Sequence, residues 1–174
     1  MCARAAAGQI TPITEEEERA LFLLTSRFLE ERGYIHYEVS NFARGEEYFS
    51  RHNRKYWHHV PYLGLGPAAH SFAAGRRWWN HRSLSQYCQA LADGRPPVAG
   101  SENLTPEQLQ LESLYLGFRT REGVALDALR HHPRWATVLT GLQKPGLVRL
   151  INGRARATRQ GLAVADRLAL GFVD

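Results

Sequence analysis

Three short stretches hold most of the side chains able to do chemistry. They are Tyr37-Glu38-Val39-Ser40-Asn41-Phe42-Ala43, Ser50-Arg51-His52-Asn53-Arg54-Lys55-Tyr56-Trp57 and Tyr62-Leu63-Gly64-Leu65-Gly66-Pro67-Ala68-Ala69-His70-Ser71. Imidazoles, phenols and an indole recur within a few residues of one another. That mixture suits a flat, apolar, metal-bearing ligand, because rings stack on a macrocycle and a neutral imidazole binds its iron. Gly64 and Gly66 withhold side chains where backbone must approach a ligand closely.

Each of these residues also has a plainer reading. A lone loop histidine such as His52 usually serves as a hydrogen-bonding group, and Asn53 commonly caps loop backbone. Tyr56 and Trp57 read equally well as core aromatics. His58 and His59 are adjacent and so point apart, which reads as solvated surface, and His131 and His132 read the same way. His70 reads as a structural hydrogen-bonding residue. Trp78 and Trp79 are consecutive in a hairpin, so one ring is expected inside and one outside. Cys88 shares helical spacing with Leu84 and Leu91 and reads as a buried, inert thiol. Arg149, Arg154, Arg156 and Arg159 read as a solvated basic face.

The elements that position these groups follow from pattern. Thr14 and Glu17 form a capping box for a helix over about 15–32. Leu21, Leu24, Phe28 and Leu29 give it an apolar stripe, Glu15 to Glu18 complement its dipole, and Gly33 stops it. A strand over 34–40 follows, making a helix–strand α/β unit. Residues 41–61 have no clear period and read as a long loop, a kind of segment that is often functional. A short strand is expected over 62–66 and a hairpin around Ala74-Gly75. Ser83 starts a helix ending near Gly94, and 95–103 reads as a linker. Thr105-Pro106-Glu107-Gln108 opens a helix to about Phe118. Short helices over 126–130 and 134–142 come next. A hairpin then turns at Asn152-Gly153, and a last helix runs from the Thr158 cap to about Leu170. Helices, hairpin, helix is a winged-helix-like order.

Composition sets outer bounds. The 174 residues are 44% hydrophobic and 22% charged, enough for one domain or two small ones. No apolar run reaches the roughly 18 residues of a membrane helix, and the alanine-rich start lacks the apolar core of a signal peptide. Two isolated cysteines, Cys2 and Cys88, make neither a disulfide framework nor a CxxC zinc pair. A reducing cytoplasm is the expected location. The formal net charge of +5 suits ligands that carry carboxylates.

The ordered motifs YEVSNFA, HNxxYW and YLGLGxxAHS resemble the signature of the haem chaperone branch of the radical-SAM family related to oxygen-independent coproporphyrinogen III oxidase. The resemblance covers nearly the whole chain. It implies an α/β (α+β) fold with two parts: the last units of a radical-SAM barrel over 1–92, and a small helical, winged-helix-like domain over 93–174. In the chaperone branch the HNxxYW segment is associated with haem binding. The resemblance therefore implies His52, Asn53, Tyr56 and Trp57 as haem contacts, with His52 as candidate iron ligand. It implies Ser40, Asn41, Gly64, Gly66 and Ala68 as the wall of an S-adenosylmethionine pocket, in keeping with barrel ligands lying at strand C-termini. Full-length members also carry a CxxxCxxC motif that holds a [4Fe–4S] cluster. This sequence has none, and Cys2 and Cys88 cannot supply three thiolates of that spacing. The resemblance thus implies a piece of a longer protein, in which radical chemistry is not expected of this chain alone.

Three functions compete on this reading. The first is a haem-binding portion of a haem chaperone. Its implied partners are haem or porphyrin, a haem-acceptor protein and a second chain completing the barrel. The second is a portion of a coproporphyrinogen oxidase, in which Arg51, Arg54 and Lys55 would meet the propionates of either ligand. The third is a winged-helix nucleic-acid binder reading bases with the helix over 134–142. That helix offers few polar side chains, so nucleic acid is not the expected partner.

Overall fold

The computed structural model describes residues 12–130 and 133–172. Cys2, His131 and His132 lie outside the described residues. The first helix, α1 (Glu15–Glu30), starts as the capping box requires: Glu17 N donates to Thr14 Oγ1 at 3.2 Å, and Thr14 N donates to Glu17 Oε2 at 2.8 Å. Three of the four residues of its apolar stripe face solvent, and the fourth, Leu29, is half-buried. Leu21, Leu24 and Phe28 are exposed, and the one buried residue of the helix is Ser26. Helical spacing identified the element correctly but says nothing about which side finds a partner.

After Gly33 the chain enters β1 (Ile35–Glu38), which turns back as β2 (Asn41–Ala43). The expected long loop is therefore mostly ordered. It holds β2, a short 3₁₀ turn at Glu46–Tyr48 and the helix α2 (Arg51–Trp57). Seven residues are too few to show a period, which is why this helix escaped the pattern. The expected strand over 62–66 is reduced to one bridge, Tyr62 to Phe72.

The hairpin forms as expected from β3 (His70–Ala73) and β4 (Arg76–Asn80), and α3 (Leu84–Ala92) starts at Ser83. The expected linker does not hold. Val98–Asn103 is a strand, β5, paired antiparallel to β4 as the third strand of that sheet. Its sequence, with glycine, serine and asparagine, carries no strand preference; the ladder with β4 decides it. Trp78 and Trp79 are both half-buried rather than one in and one out.

The second part is built on α4 (Pro106–Arg119), capped by Thr105 and Gln108 as the sequence requires. Then come β6 (Val124–Ala125), α5 (Leu126–Leu129), α6 (Trp135–Gln143) and the hairpin β7 (Val148–Ile151) and β8 (Arg154–Ala157). The expected single last helix is broken into α7 (Arg159–Leu162), α8 (Ala165–Leu168) and a 3₁₀ turn at Ala169–Phe172. The three strands pair in the order β6-β8-β7. Leu114 and Phe118 of α4 join Val124, Leu129, Leu139, Val148, Ala155, Leu168, Ala169 and Phe172 in one core. Every strand pair among the described residues is antiparallel.

The end of α4 runs beside β1. Val39 N donates to Arg119 O at 3.0 Å and Arg121 N donates to Tyr37 O at 2.9 Å. Glu38, only 3% exposed, accepts from Arg119, Ser40 N and Asn41 Nδ2. A buried carboxylate is tolerated there because all three donors meet it.

Candidate functional site

The HNxxYW residues sit on α2, which begins at Ser50; its Oγ accepts from Asn53 N at 3.2 Å. A helix advances about 100° per residue, so residues three or four apart share a face. His52 and Tyr56 form one such pair, while Arg54 and Trp57 form another. The structure keeps the two apart. His52 and Tyr56 are exposed, with the Tyr56 hydroxyl 3.1 Å from His52 Nε2 and the rings edge-on at 4.9 Å. Tyr56 in turn meets Tyr62 edge-on at 4.5 Å, and Tyr62 lies against Phe72. Burial pushes the Tyr62 phenol above its ordinary range. Trp57 turns the other way, half-buried toward Tyr37, which stacks on Phe49 at 4.1 Å.

The two sides differ in chemistry. The His52–Tyr56 side is an open aromatic surface bearing an accessible imidazole. A ring to stack on and an accessible imidazole nitrogen are the groups that a flat, iron-bearing macrocycle requires. The Trp57 side is a cavity of about 210 Å³ walled by Tyr37, Phe49 and Trp57, with Arg54, Arg121 and Arg156 among its cations. Two carboxylates answer the three arginines. Glu122 pairs with Arg54 at 3.1 Å and with His58 at 3.4 Å, and Glu46 lies 3.7 Å from Arg121. The cavity is not visible in the sequence, because Tyr37 comes from β1, Arg156 from β8, Phe49 from the residues before α2 and Arg121 from the turn after α4.

Ser40, Asn41, Gly64, Gly66 and Ala68 fall into two groups. Ser40 and Asn41 bind Glu38 at the β1–β2 turn. Gly64 and Gly66 precede β3, and their carbonyls both accept from Asn80 Nδ2. Gly64 N donates to Ser71 Oγ at 2.9 Å and Gly66 N to the Tyr87 hydroxyl at 3.1 Å. Ala68 N donates to His81 O at 2.9 Å. A Cβ on Gly64 would lie 2.1 Å from the carbonyl oxygen of His70. Close backbone approach, not a ligand, accounts for that glycine here.

Several plainer readings are corrected by the geometry. His59 is not solvated surface: it is half-buried with φ 50°, its Nε2 3.1 Å from Glu112. Cys88 is exposed rather than buried, as are Leu84 and Leu91 beside it. His70 is exposed, with its ring near that of Trp79. The wing arginines are not a uniform solvated face. Arg154 donates to the carbonyls of Glu122 and Gly123 at 2.7 Å each, and Arg159 pairs with Glu30 and donates to Ser26 Oγ. Ser26 Oγ also lies 3.0 Å from Nδ1 of buried His36, whose ring stacks on Phe42 at 4.1 Å. Burial lowers the His36 pKa, outweighing its backbone bond to Val39 and the charges of Glu30 and Glu38.

Among the described residues no three His, Cys, Asp or Glu side chains converge to hold a metal ion. With two cysteines in the whole sequence, this chain cannot ligate a [4Fe–4S] cluster by itself.

Comparison with known proteins gives one consistent relationship. Residues 104–164 match the HemN C-terminal domain family. The chain is 41% identical over 98 residues to the heme chaperone HemW of Mycobacterium tuberculosis strain H37Rv, covering 56% of this chain and 25% of that protein. It is 28% identical over 178 residues to HemW of Bacillus subtilis strain 168, covering 95% of this chain and 45% of that protein. The fold superposes on coproporphyrinogen III oxidase (HemN) from Escherichia coli with a TM-score of 0.68 at 18% identity, over 97% of this chain and 44% of that one. Residues 104–164 thus match a HemN C-terminal domain, and the fold is that of the corresponding part of coproporphyrinogen III oxidase. Its sequence relatives include HemW heme chaperones. It spans between a quarter and a half of the length of those two relatives.

Proposed function

We propose that this chain is the haem-contacting portion of a haem chaperone, taking up haem as cargo for delivery to an acceptor protein. The observation that carries this reading is the exposed His52–Tyr56 pair of the HNxxYW segment, an imidazole with an aromatic surface continuing to Tyr62. On this reading His52 ligates the iron, Tyr56 borders the ring, and Asn53 and Trp57 hold α2 in place. Residues Ser40, Asn41, Gly64, Gly66 and Ala68 face the S-adenosylmethionine side only when the remainder of a barrel is present, where the cluster cysteines also belong. The division near residue 93 belongs to the same reading, with β5 pairing back onto the first part, as does a cytoplasmic location. No helix among the described residues is long and apolar enough to cross a membrane.

A hemin titration followed by absorbance tests the proposal, with His52→Ala alongside the parent. A saturable Soret shift that weakens in His52→Ala supports it. Identical spectra for the two chains sink the assignment of His52. The nucleic-acid reading gains nothing from the geometry, since the exposed positions of α6 carry no cationic side chain.

A further inference from the structure

We propose that the cavity on the Trp57 side of α2 is a carboxylate-binding site, with Arg156 as its anchoring cation. Its ligand is a carboxylate on a short apolar stem, either a propionate arm of a tetrapyrrole or a free arylalkanoate. The tetrapyrrole source rests on the haem reading above, but the carboxylate chemistry does not.

Three observations carry the assignment. First, charge around the cavity is unbalanced. Arg54 has Glu122 and Arg121 has Glu46, but Arg156 has no carboxylate within ion-pair distance among the described residues. Second, Arg156 Nε is buried without a hydrogen-bond partner. A buried, unsatisfied donor is costly and native folds rarely keep one without reason. Third, Arg156 stands directly across the β7–β8 ladder from Arg149, and like charges directly opposite destabilise a sheet. An anion in the cavity, met by the terminal nitrogens of Arg156, answers the first and the third, and the unpartnered Nε leaves the guanidinium without any competing partner. Guanidinium is the cation best shaped for a carboxylate, which it grips with two parallel N–H groups.

Size and lining specify the rest. A volume of about 210 Å³ is below the roughly 300–1,000 Å³ of sites that enclose a whole small molecule. The cavity therefore takes an arm, not a macrocycle. Tyr37, Phe49 and Trp57 give the stem an apolar wall. Because the cavity lies across α2 from His52 and Tyr56, carboxylate capture and iron ligation are separable in experiment.

The test uses protoporphyrin IX, which lacks iron, and its dimethyl ester, titrated against the parent chain, Arg156→Leu and Arg156→Lys. Circular dichroism checks each fold, and 3-phenylpropionate serves as competitor and as a calorimetric ligand by itself. The parent is expected to prefer the free acid by about tenfold, the size of one charge-assisted hydrogen bond. That preference disappears in Arg156→Leu and partly returns in Arg156→Lys. Displacement by 3-phenylpropionate identifies a general stemmed-carboxylate site; no displacement confines it to the tetrapyrrole arm. Equal binding of acid and ester by the parent overturns the assignment, as does an unchanged preference in folded Arg156→Leu or Arg156→Lys. Binding of neither porphyrin form, with no heat from 3-phenylpropionate, also overturns it. Failure of the haem reading looks different: hemin binds no tighter than the iron-free ring and is insensitive to His52→Ala, while the acid preference persists.

Discussion

One terminal nitrogen of Arg77 on β4 lies 2.8 Å from both carboxylate oxygens of Glu112 on α4, and His59 Nε2 reaches the same carboxylate at 3.1 Å. Three segments distant in sequence meet on one side chain: the turn after α2, the central strand of the β3–β4–β5 sheet, and the helix that founds the C-terminal core. Burial works to raise the Glu112 carboxyl. The hydrogen bonds from Arg77 and His59 outweigh it and hold the group below the ordinary carboxylate range.

Removing that charge leaves a half-buried guanidinium with only the more exposed Glu102, 3.3 Å away, as an ionic partner. Glu112→Gln is expected to lower unfolding stability by about 1–3 kcal/mol. The loss is expected to shrink when Arg77 is already Met, and urea denaturation of the four chains of that cycle measures it. Equal losses in both backgrounds would show that the pair is not coupled.

His36 supplies a pH dependence with a defined sign. Its native pKa lies below the ordinary value of 6.5, chiefly because burial disfavours the imidazolium. Below about 6.5 the unfolded chain therefore binds a proton that the native chain refuses. The contribution of His36 is complete above that value and is lost as pH falls toward the native pKa. Thermal unfolding between pH 7.5 and 5 is expected to show falling stability in the parent and a flatter profile in His36→Gln. Parallel profiles would remove His36 as the cause.

Tyr56→Phe separates the two roles of the HNxxYW tyrosine. The ring stays, but the hydroxyl that occupies His52 Nε2 goes. If iron takes that nitrogen, hemin no longer has to displace a hydrogen bond of about 0.5–1.5 kcal/mol, so affinity rises by roughly two- to tenfold. Weaker hemin binding in this variant would instead make the hydroxyl a direct contact.

Gly64 and Gly66 are expected to fail for different reasons. At Gly64 an alanine would drive its Cβ into the His70 carbonyl, and Gly64→Ala is expected to cost about 1–3 kcal/mol, the range of overpacking. Gly66 has open space around it but φ +101°, so Gly66→Ala is strained through backbone alone, by about 1–3 kcal/mol. Calorimetric melting of both checks this. A neutral Gly64→Ala would mean that the loop has room to relax.

Much of the second part was legible because its signals are local. Thr105 with Gln108, Asn152-Gly153 and the Thr158 cap all lie within one turn of the element they start, and the structure honours each. What escaped depends on contacts distant in sequence. β5 is a strand because β4 lies beside it, and α2 is too short for its period to show. Of the candidate site, the motif singled out His52 and Tyr56, but their pairing comes from α2, a helix where the sequence suggests a loop. Nothing local could show that Trp57 turns toward Arg121 and Arg156, because the first arrives from the turn after α4 and the second from β8. The outward stripe of α1 is the same lesson in reverse: Leu21, Leu24 and Phe28 announce a face but not what covers it.

That stripe changes how the protein must be assayed. With Leu21, Leu24 and Phe28 in solvent, and with Leu63 at 70% and Leu65 at 81% exposure, the native chain presents apolar area that a dye such as ANS will find before any unfolding begins. A bright dye signal at the start of a melt is then the baseline of the folded molecule rather than the mark of a molten one. Unfolding is better followed through the indole rings of Trp78 and Trp79, which are half-buried in the folded chain.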